Sequence, residues 1–377
     1  DWANRVYNIN RDNDGGATAY IYPNNFRTDI GRNAAYQVNT WVNSRTAPSN
    51  TVIQANKFVL SKRGEIITDT SVVNFYPANT TAPSSVTATY GPVDRRLTYG
   101  SLSITNDANG NITGSTGPGV NNAYTFNPDN SVATINHYGT QNSFTHNAFG
   151  DRVTKTTGAT VNWYNLSYAL AGYPVVLQEL DGTNNVKATN LFTADGVLLG
   201  RDSAGVFTFI HHNALGNTSF LTDANGIVTN TYAYTLFGNY FRQTGTSTQP
   251  YTWQGTYGVQ KEGKDLYYPW ARLYDANIGS FISPDPVQGS LTETRNLNPY
   301  LYGLNDPASY RDPNGLYPQG TNNLGLNWFE RFASSNAGNK TINALDFIAS
   351  GRWVGTGYGQ DAKNWYEQQY INSVVNG

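Results

Sequence analysis

Two aspartates stand where this chain could do chemistry. Asp285 opens the run Asp285-Pro286-Val287-Gln288-Gly289, and Asp312 opens Asp312-Pro313-Asn314-Gly315. An aspartate before proline has a structural use, because its side chain caps a turn. A pair of carboxylates brought close has a second use, since both cannot easily ionise. One then activates water as general base while the other donates a proton to a carbonyl. The residues by themselves leave both uses open. The histidines are His137, His146, His211 and His212. Adjacent strand residues point to opposite faces, so His211 and His212 cannot easily hold one metal together, and a structural role is expected. Asp12-Asn13-Asp14-Gly15 starts like a calcium loop, but the twelfth position of such a loop should be Glu and is Pro23 here. A turn is expected there. Sequons beginning at Asn79, Asn111, Asn165, Asn217 and Asn339 arise readily in an Asn- and Thr-rich chain. No Ser-His-Asp order, phosphate loop or dinucleotide fingerprint stands out, and no metal or cofactor is expected.

Composition says what kind of scaffold must position these residues. The 377 residues include 27 Tyr and 37 Gly. Tyr and Thr favour strands, while Gly and Asn favour tight turns needing positive φ. The balance predicts an all-β chain with frequent turns. Only 13% of residues are charged and the net charge is −2, which argues against an electrostatic nucleic-acid binder. Cys and Met are both absent, so no disulfide framework or thiolate site is available. A chain lacking oxidisable sulfur suits a long-lived extracellular protein. Without an initiating Met, Asp1 is expected to follow processing or to begin a fragment. No run approaches the roughly 18 apolar residues of a membrane helix.

The middle of the chain repeats. Turn-type tetrads such as Asp107-Ala108-Asn109-Gly110 and Asn147-Ala148-Phe149-Gly150 end at 110, 130 and 150, and later ones at 196, 205, 216, 226 and 238. Asp or Asn at the first position caps the turn and Gly at the last takes positive φ. Between them lie short aromatic and β-branched runs. A turn about every ten residues predicts a continuous antiparallel meander in which twenty residues make one hairpin. Residues 1–100 fit the repeat less well and are read as diverged strands of the same sheet. About 30 strands at ~4.8 Å make a ribbon of ~140 Å, which wound once closes a ring ~45 Å across. Such a shell could hardly enclose a large cargo by itself.

Residues 272–316 read RLYDANIGSFISPDPVQGSLTETRNLNPYLYGLNDPASYRDPNGL. Through Arg272, Tyr274-Asp275, Gly279, Phe281, Asp285-Pro286, Asn298-Pro299-Tyr300, Tyr302, Asn305-Asp306-Pro307 and Asp312-Pro313-Asn314-Gly315-Leu316, this block resembles the core-terminating segment of Rhs and YD-repeat proteins. The resemblance implies an antiparallel YD-repeat sheet wound into a shell or barrel. It divides the chain into diverged strands over 1–100, the repeat sheet over 101–266, the core-terminating block over 267–316 and a tail over 317–377. Residues 159–182 resemble the degraded repeat that often precedes the block. In this family two aspartates cut the chain after the final Asp-Pro-x-Gly-Leu, by aspartic-protease chemistry. Carried over, the pair is Asp285 and Asp312 and the bond is Leu316–Tyr317. The neighbouring Arg311 is expected to steady the ionised partner. The first motif here has one extra residue, and 22 residues separate Gly289 from Asp312, longer than the family pattern.

After Leu316 the spacing turns helical, over 327–334, 341–349 and 361–375. The tail holds many aromatics but no His or Cys, and is expected to dock as a helical plug. Two functions are compatible with all this. The favoured one is a secreted extracellular structural or adhesive building block. It self-associates or joins partner subunits through sheet edges and the aromatic tail, or binds a surface glycan or protein. The alternative is a self-cleaving carrier that encapsulates and releases its C-terminal segment after Leu316.

Overall fold

The computed structural model describes residues 4–62, 64–73, 85–168, 173–287, 295, 297–316 and 318–320. Within them the chain is all-β, as the composition predicts, and the strand pairs are antiparallel. The helical spacings beyond residue 320 and the Gln288-Gly289 end of the first aspartate motif lie outside the described residues.

Sixteen strands, from Ala88–Tyr90 to Tyr240–Thr244, pair strictly in chain order to form one long meander. Its two rims are built differently. On one rim a tetrad closes the hairpin. Asp107 N–H donates to Asn111 O at 2.9 Å, Gly110 N–H donates to Asp107 O at 3.1 Å, and Asp107 Oδ1 accepts from Asn111 N–H at 2.8 Å. Gly110 has φ 92°, and the register slips between Thr105 and Asn106. Asn147 repeats this arrangement with Gly150 and Asp151. On the other rim two residues suffice at several hairpins, while Asp181 and Asp223 begin tetrads there too. Tyr138 and Gly139, at φ 48° and 82°, join the paired His137 and Thr140. Mirror-image turns of this kind match the right-handed strand twist. The run Asp202-Ser203-Ala204-Gly205, which reads as a tetrad in the sequence, is a turn of this second kind. Ser203 pairs with Val206 across Ala204 and Gly205.

The first residues do not extend this meander. Strands from Asn8–Arg11 to Ile66–Asp69, with Val72–Val73 beside Thr51–Leu60, form their own seven-stranded sheet. That corrects, for residues 8–73, the expectation that residues 1–100 are diverged strands of the same sheet; Ala88–Tyr90 and Arg96–Tyr99 do join it. The reason is burial: Tyr20, Tyr22, Phe26 and Trp41 pack face-on against Phe207, Phe209 and Phe220 of the long sheet. Trp41 Nε1–H and Asn43 Nδ2–H both donate to His212 O at 2.7 Å. Edge pairing would have left those rings in water.

A closing segment covers the other face. Leu266, Tyr268, Leu273, Ile278 and Ile282 pack on Ile104, Ile112, Tyr124, Ile135 and Phe144 of the first half of the meander. Tyr251 packs on Leu198, Ile210 and Leu221. Strands Leu198–Ser203, Val206–His212 and Thr218–Thr222 are therefore covered on both faces, and Thr218–Thr222 is buried at every position. Elsewhere burial alternates, as in Val120–Phe126. Within the closing segment, Trp253 stacks on Tyr274 with centroids 4.8 Å apart, and Tyr302 lies 4.7 Å from both rings. Tyrosine hydroxyls tie the segment to the tetrad rim: Tyr300 donates to Gly110 O, Tyr267 to Gly238 O and Tyr274 to Phe237 O, at 2.7–2.8 Å. Among the described residues the strands divide into four sheets, and the long meander is packed on one face by the first sheet and on the other by the closing segment.

Candidate functional site

The closing segment positions the aspartates. Arg272 lies between the short strands Leu266–Tyr268 and Tyr274–Asp275. Its side chain is 3% exposed and its guanidinium rests 3.7 Å above the Phe281 ring. A cation held so deep needs acceptors on every N–H it can present. Nε donates to Gly315 O, Nη1 to Pro299 O at 2.8 Å, and Nη2 to Asp285 Oδ2 at 2.7 Å. Nη2 also faces Asp312 Oδ2 at 3.5 Å. Two oxygens at 2.7 and 3.5 Å from one nitrogen lie no more than 6.2 Å apart. The fold therefore brings Asp285 and Asp312 together despite the long interval between them.

Each carboxylate also uses an oxygen on its own turn. Asp285 Oδ1 accepts from Val287 N–H at 2.8 Å, and Asp312 Oδ1 accepts from Leu316 N–H at 3.0 Å. Asn314 Oδ1 accepts from the same Leu316 N–H at 3.1 Å. Turn-capping and meeting across space are thus both realised, one oxygen for each. Gly315 has φ 70°, and a Cβ there would stand 2.4 Å from Pro269 O. Only glycine lets the loop come close enough for Arg272 to reach the Gly315 carbonyl. Leu316 is buried, and Tyr317 lies outside the described residues. Gln319–Gly320 pairs with Tyr310–Arg311, so both arms of the loop are held.

Burial pushes the Asp285 carboxyl above its usual range, against the opposing pull of Arg272. Asp312 is more deeply buried, its side chain 2% exposed against 17% for Asp285. An unequal pair of carboxylates around one guanidinium can divide acid and base roles. The arginine between them is Arg272. Arg311, expected from its position to steady the ionised partner, has its guanidinium over the Tyr257 ring at 4.5 Å. Arg272 opens the core-terminating block and is one of only three basic residues in it. That scarcity was the available signal; which arginine reaches the carboxylates depends on the packing of Phe281 and Pro299.

The remaining candidates have structural surroundings. Asp12 Oδ1 accepts from Asp14 and Gly16 N–H at 3.2 and 2.8 Å, which makes a capped turn. His211 stacks on Phe220 at 4.4 Å and touches Tyr22 and Phe26 of the first sheet. His212 bonds Leu198 O through Nε2 at 2.7 Å. Burial lowers both histidines below the usual imidazole range, His212 to about 4. Among the described residues, no helix is long and apolar enough to cross a membrane.

No family model matches the chain. The tRNA3(Ser)-specific nuclease WapA of Bacillus spizizenii is 29% identical over 238 residues, covering 61% of this chain and 10% of that protein. The tRNA(Glu)-specific nuclease WapA of Bacillus subtilis subsp. natto is 26% identical over 280 residues, covering 72% and 12%. The chain spans about a tenth of the length of these relatives. In fold it is similar to TcdB2-TccC3, with TM-score 0.58 at 14% identity, over 82% of this chain and 20% of that one. The Photorhabdus luminescens Tc holotoxin pore gives TM-score 0.56 at 13% identity, over 85% and 20%. These similarities support the Rhs/YD-type reading at the level of the family and not of any one member. They overturn the structural or adhesive building block, because the relatives are named as nucleases; the carrier alternative fits them better.

Proposed function

We propose that this chain is the shell of a secreted, self-cleaving toxin carrier that hydrolyses its own Leu316–Tyr317 bond and so separates the segment that follows. One observation supports this reading above the others: Arg272 holds Asp285, Asp312 and the Gly315 carbonyl at once, while Asp312 holds the Leu316 amide. Asp312 Oδ2, which faces the guanidinium at 3.5 Å, takes a proton from water as general base, and the hydroxide attacks the Leu316 carbonyl carbon. Asp285, whose carboxyl burial pushes above its usual range, serves as the acid in its protonated form and gives that proton to the carbonyl oxygen. Collapse breaks the C–N bond; the Tyr317 nitrogen takes the proton that Asp312 accepted from water and leaves as an amine, the carbonyl oxygen returns its proton to Asp285, and Leu316 becomes a carboxylate. The fixed loop supplies orientation, which is worth several kcal/mol in an intramolecular reaction.

Intact mass under denaturing conditions tests this on the natural chain and on Asp312→Asn and Asp285→Asn. Two fragments meeting at Leu316–Tyr317, absent in both variants, are expected. A single uncut mass for the natural chain across pH 4 to 8 would retire the protease reading. The cleavage rate is expected to decline as pH rises past the elevated Asp285 pKa, because the acid is then lost. Secretion is tested by looking for the chain in culture medium.

A further inference from the structure

Away from the aspartates, an open cleft of about 530 Å³ lies between the long sheet and the closing segment. The sheet contributes Lys155, Glu179, Lys187 and Arg201, and the closing segment contributes Gln260 and Lys261. The acids here are already engaged. Glu179 receives both arms of Arg201 at 2.9 Å each. The fully buried Glu262 is held by Arg152 at 2.5 Å and Lys155 at 2.7 Å. Lys187 Nζ donates only to the neutral Asn162 Oδ1. Lys261 Nζ lies 3.9 Å from the centre of the Tyr240 ring. Among the described residues, neither lysine has a carboxylate within ion-pair distance. Five side-chain cations thus stand against two carboxylates, in a chain whose net charge is −2. Counting Asp265, whose charge also acts on Lys261, the local excess is two. Partly enclosed low-dielectric walls concentrate such a field.

We propose that this cleft binds a small phosphate-bearing molecule between Lys187 and Lys261. The volume is that of a small-molecule site. The available cations favour phosphate over carboxylate. The planar forks that suit a carboxylate belong to Arg201 and Arg152, and both are occupied by glutamates. What remains are two flexible ammonium groups, which engage phosphate as point charges. Burial lowers the Lys261 ammonium from its usual value, and the Asp265 charge opposes that shift.

Calorimetric titration of the intact chain with tripolyphosphate, and with citrate as the carboxylate comparison, tests the proposal. Saturable binding of tripolyphosphate at one site is expected, at least about tenfold tighter than citrate, and weakening as salt shortens the screening length. Lys187→Gln with Lys261→Gln should lower the affinity by about tenfold or more. Lys187 is exposed, so Lys187→Gln alone leaves packing intact and should still weaken binding. Absence of saturable binding, equal binding of citrate, or unchanged affinity in the double variant would each overturn the proposal. Cleavage at Leu316 does not involve these lysines, so the two proposals fail separately.

Discussion

Arg272 is surrounded by acceptors and an aromatic ring, with 3% of its side chain exposed. A lysine there has three donors on one nitrogen in place of a planar fork, and cannot reach all four partners at once. Arg272→Lys keeps the charge but is expected to lower the unfolding free energy by about 1–3 kcal/mol, since fewer and differently placed donors leave buried acceptors such as the Gly315 and Pro299 carbonyls unsatisfied. It should also slow cleavage, and comparing urea melts with cleavage rates at a temperature where the variant is folded separates the two effects. Buried histidines set a second expectation. The folded state binds fewer protons than the unfolded chain wherever a histidine pKa is lowered. Stability should therefore be full above pH 6.5 and fall as pH drops toward about 4, the His212 value. The loss is on the order of 3 kcal/mol for that one residue. A pH series of chemical melts checks it, and His212→Gln should flatten the slope.

At the scale of the element, the rims of the long sheet distinguish two classes of glycine. Gly139, at φ 82°, has nothing within 4 Å of a would-be Cβ. Gly238, at φ 96°, would place that Cβ 2.9 Å from the Trp253 ring. Gly139→Ala should cost about 1–2 kcal/mol from backbone conformation alone, and Gly238→Ala more, as measured by thermal midpoint. The positions of these turns were legible in the sequence, because capping side chains and positive φ are local requirements. Their types were only partly legible. Asn147-Ala148-Phe149-Gly150 and Asp202-Ser203-Ala204-Gly205 read alike, yet the strand register makes one a tetrad and the other a two-residue turn.

For the molecule as a whole, the decisive feature is a closing segment packed onto the face of its own sheet. Trp253 is 1% exposed at the centre of that packing. Trp253→Ala should cost about 3–5 kcal/mol, and a chain ending at residue 247 should expose the Ile104–Phe144 surface and bind hydrophobic dye strongly. A smaller effect on either measure would mean that the long sheet is stable uncovered. The sequence by itself determined the all-β class, the hairpin period, the turn residues and the membership of Asp285 and Asp312 in one block. Those follow from backbone preference and local pattern, which act over a few residues. It took the tertiary structure to show that residues before 74 form a separate sheet packed on the long one, that the closing segment covers its other face, and that Arg272 lies against both carboxylates. Each of these depends on which apolar faces exclude water together, and on which distant carbonyls can satisfy a buried cation. Such pairings join residues tens to hundreds of positions apart, where strand periodicity carries no information.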